Sequence, residues 1–108
     1  MSALSDEAIR AEVQARLPGW RHEDGALRKR FTFRGFAAAI AFIDRMAEVA
    51  KASRHHPDFC SHYDAVDVWV TTHSAGGVTN ADLSLARAIE ATAGTPLERS
   101  DGAAEPGR

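Results

Sequence analysis

The sequence predicts an α+β sandwich, in which antiparallel strands are covered on one face by about three helices. Three observations carry this. Asp24-Gly25 separates two short extended segments, as the tight turn of a hairpin does. Val66, Val68 and Val70 alternate with Asp67, Trp69 and Thr71, the period-two pattern of a half-covered strand. Segments of helical spacing precede, separate and follow these extended runs. No repeat or linker divides the 108 residues, a length that fits one domain. One domain over residues 1–95 is therefore expected, with 96–108 as a flexible tail.

Each element has a local reason. Ser5-Asp6-Glu7 opens the first helix with a capping hydroxyl and acids in the first turn, and Ile9, Val13 and Leu17 follow helical spacing. Pro18-Gly19 ends it. Trp20 begins the first extended segment, and the returning strand spans residues 26–33. Leu27, Phe31 and Phe33 share one face of that strand, with Arg28, Arg30 and Thr32 on the other. After Gly35 a long helix covers roughly residues 36–52. Phe36, Ile40, Ile43 and Ala47 are its expected apolar stripe, with Asp44, Arg45, Glu48 and Lys51 outside it. Pro57 disfavours helical geometry at His56, so the helix stops before that residue. The clearest strand runs from 63 or 64 to 72, and Gly76-Gly77 make a turn. Thr79 opens the last helix, with Asp82 at the reciprocal position of a capping box. Leu85, Ala86, Ile89 and Ala93 form its inner face, and Gly94 stops it. The other sheet face presents Trp69 beside Asp67. An aromatic there points either to self-association, through that face or the strand edge, or to a singly exposed ring.

Composition narrows the function. Thirteen basic against fifteen acidic residues give a net charge of −2, too weak a field for nucleic acid or an anionic membrane. Arg28-Lys29-Arg30 is the one local basic run and reads as a solvated strand or turn. The longest mostly apolar stretch, residues 36–43, is far short of a bilayer span. The acidic, polar start is unlike a secretory signal, and a single cysteine, Cys60, allows no intrachain disulfide. A cytoplasmic protein is expected.

Three of the five histidines bracket the best strand: His55 and His56 before it, His73 at its end. An imidazole titrates near neutrality and can both give and take a proton, so converging histidines can serve as acid and base in one turnover. Zinc held by three histidines with Cys60 or Asp58 is the competing chemistry. Adjacent histidines project in different directions, and the sequence has neither HExxH nor CxxC, so no metal is expected. His22, Cys60 and His62 read as surface residues.

Taken together, Lys51, His55-His56-Pro57, Tyr63, His73 and Asp82 form the pattern K-x3-H-H-P-x5-Y-x9-H-x8-D. This resembles the signature of the pterin-4a-carbinolamine dehydratase family. The likeness spans about residues 4–93 and is strongest over 51–89. The resemblance implies a four-stranded antiparallel sheet with helices on one face, assembled into homodimers or homotetramers. It implies dehydration of 4a-hydroxytetrahydropterin to quinonoid dihydropterin without metal or organic cofactor. It also implies a functional link to the aromatic amino-acid hydroxylases that form this substrate. Carried over by position, His55, His56 and His73 would be the acid–base residues, with His56 essential. Pro57 would shape the loop. Thr72, Ser74 and Ala75 would line the pterin through backbone groups. Asp82 would be structural, as a helix cap, or would orient His73 or another polar group. Tyr63 would be core or pocket wall. Lys51 stands where the family usually has a carboxylate, and Ser74 where an acid is common. Lys51 would disfavour a proton on the first imidazole by like-charge repulsion. Within the family, some members also serve as dimerisation cofactors of a transcription factor. Some dehydratase-like relatives are assembly factors that have lost the site. A non-catalytic role of the same fold is therefore the alternative.

Overall fold

In the computed structural model, which describes residues 2–94, the elements are α1 (Asp6–Arg16), β1 (Arg21–Glu23), β2 (Ala26–Thr32), α2 (Phe36–Ser53), β3 (Asp58–His62), β4 (Ala65–Val70) and α3 (Asn80–Thr92). The four strands form one antiparallel sheet in the order β1-β2-β4-β3, giving the expected α+β fold. The expected tail at 96–108 lies outside the described residues. Among the described residues no helix is long and apolar enough to cross a membrane.

The local signals act as anticipated. The Ser5 hydroxyl accepts the Ala8 N–H at the start of α1. In the first hairpin Glu23 pairs with Ala26, which leaves Asp24-Gly25 as a two-residue loop. Both loop residues have positive φ, 54° and 74°, the backbone such a loop needs to match strand twist. The α2 helix stops at Ser53, and Arg54 follows in the left-handed conformation. At α3 the capping box is complete.

The core lies between the inner face of the sheet and the helices. Leu27, Phe31, Phe33, Val66, Val68 and Val70 point inward from the sheet and are almost fully buried. From α3 come Leu83, Leu85, Ala86 and Ile89. Each such Leu, Ile, Val or Phe side chain stabilises the fold by roughly 1.5–3 kcal/mol relative to exposure. Phe42 of α2 packs on Phe31 and Phe33 with ring centroids 4.9 and 5.1 Å away.

The inner stripe of α2 differs from the expected one. Ala39, Phe42, Met46 and Ala50 are buried, whereas Phe36 is 52% exposed, Ile40 and Ile43 are half-buried and Ala47 is exposed. The displacement is one residue, about 100° around a helix. The helix is apolar over more than half its circumference, so periodicity alone cannot choose a face. Phe42 decides it, because its ring completes the aromatic cluster on the sheet.

The basic run is dispersed by strand alternation. The Arg28 guanidinium lies over the Trp69 ring, 5.0 Å from its centroid. Lys29 turns inward to Glu90 at 2.7 Å. Arg30 pairs with Asp67 through two bonds of 2.7 and 2.8 Å. Trp69 is thus half-buried, with an arginine of its own chain over it.

Candidate active site

Two chain segments converge at one end of the β3–β4 pair. Asp58 pairs with Trp69, so stepping outward three residues on each strand brings His55 level with Thr72. The α3 cap closes over this end. Asp82, with no solvent exposure, sits between them. Its Oδ1 lies 2.6 Å from His55 Nε2. Its Oδ2 accepts the Thr79 N–H at 2.8 Å and the Thr72 hydroxyl at 2.7 Å. The two threonine hydroxyls lie 2.9 Å apart.

Asp82 therefore does both things the sequence left as alternatives. One oxygen completes the helix cap, and the other faces an imidazole. That imidazole is His55, not His73. A carboxylate buried this completely is costly unless its lone pairs are met, and here N–H and O–H donors from three other residues surround it. Thr79 is the participant that the sequence showed only as a helix cap. Its signal was present: a capping-box acid uses one oxygen for the cap and leaves the other for a partner.

The other expected residues are distributed as follows. His56 borders an almost wholly apolar groove of about 250 Å3 with Ile43, Ala47, Lys51, Pro57 and Phe59, which His55 does not line. His73 opens a 3-10 turn, His73–Ala75, immediately after the site strand and is exposed. Among the described residues neither of these rings has a hydrogen-bond partner, so both are open to a ligand. Ser74 and Ala75 lie in the same turn. Lys51 is 72% exposed, and its ammonium lies 3.6 Å from Glu48 one turn back, on the helix surface.

Two expectations are corrected by the geometry. Thr72 has no polar group left for a ligand. Its N–H donates to Gly77, its carbonyl accepts from Ala75 and Gly77, and its hydroxyl is held by Asp82 and Thr79. Tyr63 is neither core nor a wall of this end. It is 59% exposed, in the turn at the far end of β3, and stacks on Phe36 at 6.3 Å. A five-residue strand, roughly 17 Å long, separates it from the histidines.

A larger groove, about 550 Å3, lies on the outer face of the sheet between Arg21, Arg28, Arg30, Cys60, His62, Asp67 and Trp69. Its charged groups are paired, Arg30 and His62 with Asp67, and Arg21 and Arg28 with Glu23 at its border. Arg30 holds the Asp67 carboxyl below the usual range, and Asp67 in turn raises Arg30. Arg21 does the same to Glu23. His62, 55% exposed, lies 3.3 Å from Asp67 in this groove, and the Cys60 thiol is free and exposed. Among the described residues no three His, Cys, Asp or Glu side chains are grouped to hold a metal ion.

The chain's relatives agree on one family. A family model described as Pterin 4 alpha carbinolamine dehydratase matches residues 2–92. Two relatives are provisionally named pterin-4-alpha-carbinolamine dehydratases. The one from Thermomicrobium roseum is 41% identical over 87 residues, covering 81% of this chain and 94% of its own. The one from Afipia carboxidovorans is 49% identical over 86 residues, covering 78% and 85%. Among solved structures, a protein from Brucella melitensis described as a transcriptional coactivator/pterin dehydratase superposes with a TM-score of 0.81. It is 34% identical, over 86% of this chain and all of that one. A pterin dehydratase-like protein identified as a RuBisCO assembly factor of the alpha-carboxysome gives a TM-score of 0.63 at 25% identity, over 72% and 93%.

Proposed function

The chain belongs to the pterin-4a-carbinolamine dehydratase family, and from that membership we propose that it dehydrates 4a-hydroxytetrahydropterin to quinonoid dihydropterin. The reaction is an elimination without redox change. The C4a–O bond breaks, the hydroxyl departs as water after gaining a proton, and a ring N–H gives up a proton. Neither metal nor organic cofactor is required by that balance. The observation that carries the reading is His55, held by a buried carboxylate at the end of the sheet where His56 and His73 also stand.

His56 is the residue on which activity depends, with His55 and His73 as its acid–base partners. Imidazoles with different protonation states supply both proton transfers. Pro57 sets the direction of the His pair, and the turn at Ser74 and Ala75 lies beside the pterin ring. The protein works as a homodimer or homotetramer in the cytoplasm and serves an aromatic amino-acid hydroxylase.

The test follows ultraviolet absorbance of freshly generated 4a-hydroxytetrahydropterin with wild type and His56→Ala, both in chelator. Wild type accelerates the decay, and His56→Ala loses about 10²-fold or more of that acceleration, as removal of a placed acid–base group does. A second reading is favoured by the RuBisCO assembly factor of similar fold: this chain is a scaffold for another protein. No acceleration by wild type selects that reading.

A further inference from the structure

We infer that Thr72 is a positioning residue whose hydroxyl, with that of Thr79, locks Asp82 so that His55 keeps a proton on Nε2 and presents Nδ1 to the substrate. The inference deepens the dehydratase reading and rests on it for the word substrate.

The hydrogen positions follow from counting donors. Asp82 Oδ2 accepts the Thr79 N–H at 2.8 Å, which fixes that oxygen as an acceptor. The Thr72 hydroxyl, 2.7 Å from the same oxygen, must then donate its only hydrogen to it. That hydrogen is no longer available for the 2.9 Å contact with Thr79, so the Thr79 hydroxyl donates to Thr72, the nearer of its two acceptors, Asp82 Oδ2 lying 3.4 Å away. Thr79 Oγ1 is completed by the Ala81 N–H at 3.2 Å. A directional chain therefore runs from Ala81 through Thr79 and Thr72 to Asp82.

The chain ends on the imidazole. With Oδ2 filled, only Oδ1 faces His55, and an ionised carboxylate accepts. His55 Nε2 at 2.6 Å is accordingly the N–H nitrogen. The neutral ring then carries its lone pair on Nδ1, the nitrogen that takes a proton from substrate or returns one. A buried carboxylate on the far nitrogen also stabilises the imidazolium formed in that step. Thr72 has no polar group free to touch a ligand, so its influence passes through Asp82.

The experiment uses the full chain with 15N-labelled histidine and three variants, Thr72→Val, Thr72→Ser and Asp82→Asn. Nitrogen-15 NMR of free protein assigns the His55 tautomer, and the absorbance assay gives kcat and KM. Wild type is expected to show His55 as the Nε2–H tautomer with a slowly exchanging Nε2 proton. Thr72→Val, nearly isosteric, is expected to lose about tenfold in kcat with KM little changed and to mix the tautomers, as loss of an outer partner of a reactive imidazole does. Thr72→Ser restores both readouts. Asp82→Asn is expected to turn the tautomer balance toward Nδ1–H. A wild-type His55 protonated on Nδ1, or a Thr72→Val protein with wild-type kcat and tautomer, overturns the inference. The NMR readout needs no turnover, so an inactive wild type refutes the dehydratase reading while the tautomer is still decided.

Discussion

The α3 helix carries Asp82, and its other end is tied to the first hairpin by a single carboxylate. Glu90 Oε1 accepts the Lys29 ammonium at 2.7 Å and the Trp20 indole N–H at 3.0 Å. Side-chain exposures of 11% for Lys29 and 24% for Glu90 put the pair between a surface and a buried ion pair. In Glu90→Ala the Trp20 N–H, on a residue 4% exposed, is left unpaired, which costs about 1–3 kcal/mol. Lys29 keeps only the Pro18 carbonyl at 3.2 Å. Losing a partly screened counter-ion adds about 1 kcal/mol, well under the value for a fully buried pair. The sum, about 3 kcal/mol, lowers Tm by roughly 12–24 °C in a domain of this size. Glu90→Gln keeps an oxygen acceptor for both donors and loses only the charge, so it costs about 1 kcal/mol. Adding Lys29→Met to Glu90→Ala removes the stranded ammonium and recovers part of the loss. Urea unfolding of the four proteins measures the order. If Glu90→Gln is as damaging as Glu90→Ala, or if Glu90→Ala costs less than about 0.5 kcal/mol, the hydrogen-bonding account of this tie is wrong.

Other consequences are as specific. Arg54 caps α2 at φ 55° and ψ 35° with its side chain exposed. Arg54→Gly should therefore raise the urea midpoint by the equivalent of up to about 1 kcal/mol, and a fall in stability would contradict the left-handed cap. Asp67 is held below the ordinary aspartate value of 3.8, first by its hydrogen bonds to Arg30. A depressed folded value contributes stability above the unfolded value and loses it as pH falls through the folded one. The difference in Tm between wild type and Asp67→Asn should thus be present at pH 7 and fade below about pH 4. Side-chain exposures of 58% and 31% hold it to about 1 kcal/mol or less, and a difference that grows on acidification would refute the sign.

Much of the fold was legible because it is written in local chemistry. The positive-φ demand of Asp24-Gly25, the Thr79–Asp82 cap and the alternation of Val66, Val68 and Val70 need no distant partner to be recognised. The β3 strand had no such signal. Asp58-Phe59-Cys60-Ser61-His62 lacks β-branched residues and is exposed throughout, so only the family resemblance pointed to a fourth strand. It is a strand because β4 offers it a complete ladder from Asp58–Trp69 to His62–Ala65. Tyr63 shows the same limit in reverse. Its spacing grouped it with the histidines, but the turn it occupies takes it to the other end of that ladder.

At the site, sequence alone marked His55, His56, His73 and Asp82 as candidates and gave their place around one strand. It could do so because imidazoles and a capping acid have chemical roles that spacing makes visible. Tertiary structure decided which partners meet. Asp82 could face any of three rings, and only the packing of α3 across the end of β4 directs its second oxygen to His55. The turn after β4 takes up the backbone groups of Thr72, Asp82 and Thr79 hold its hydroxyl, and His56 borders a groove lined by residues of α2 and β3. Hydrogen bonds between segments distant in sequence depend on distances that no local pattern encodes, so these assignments belong to the folded chain alone.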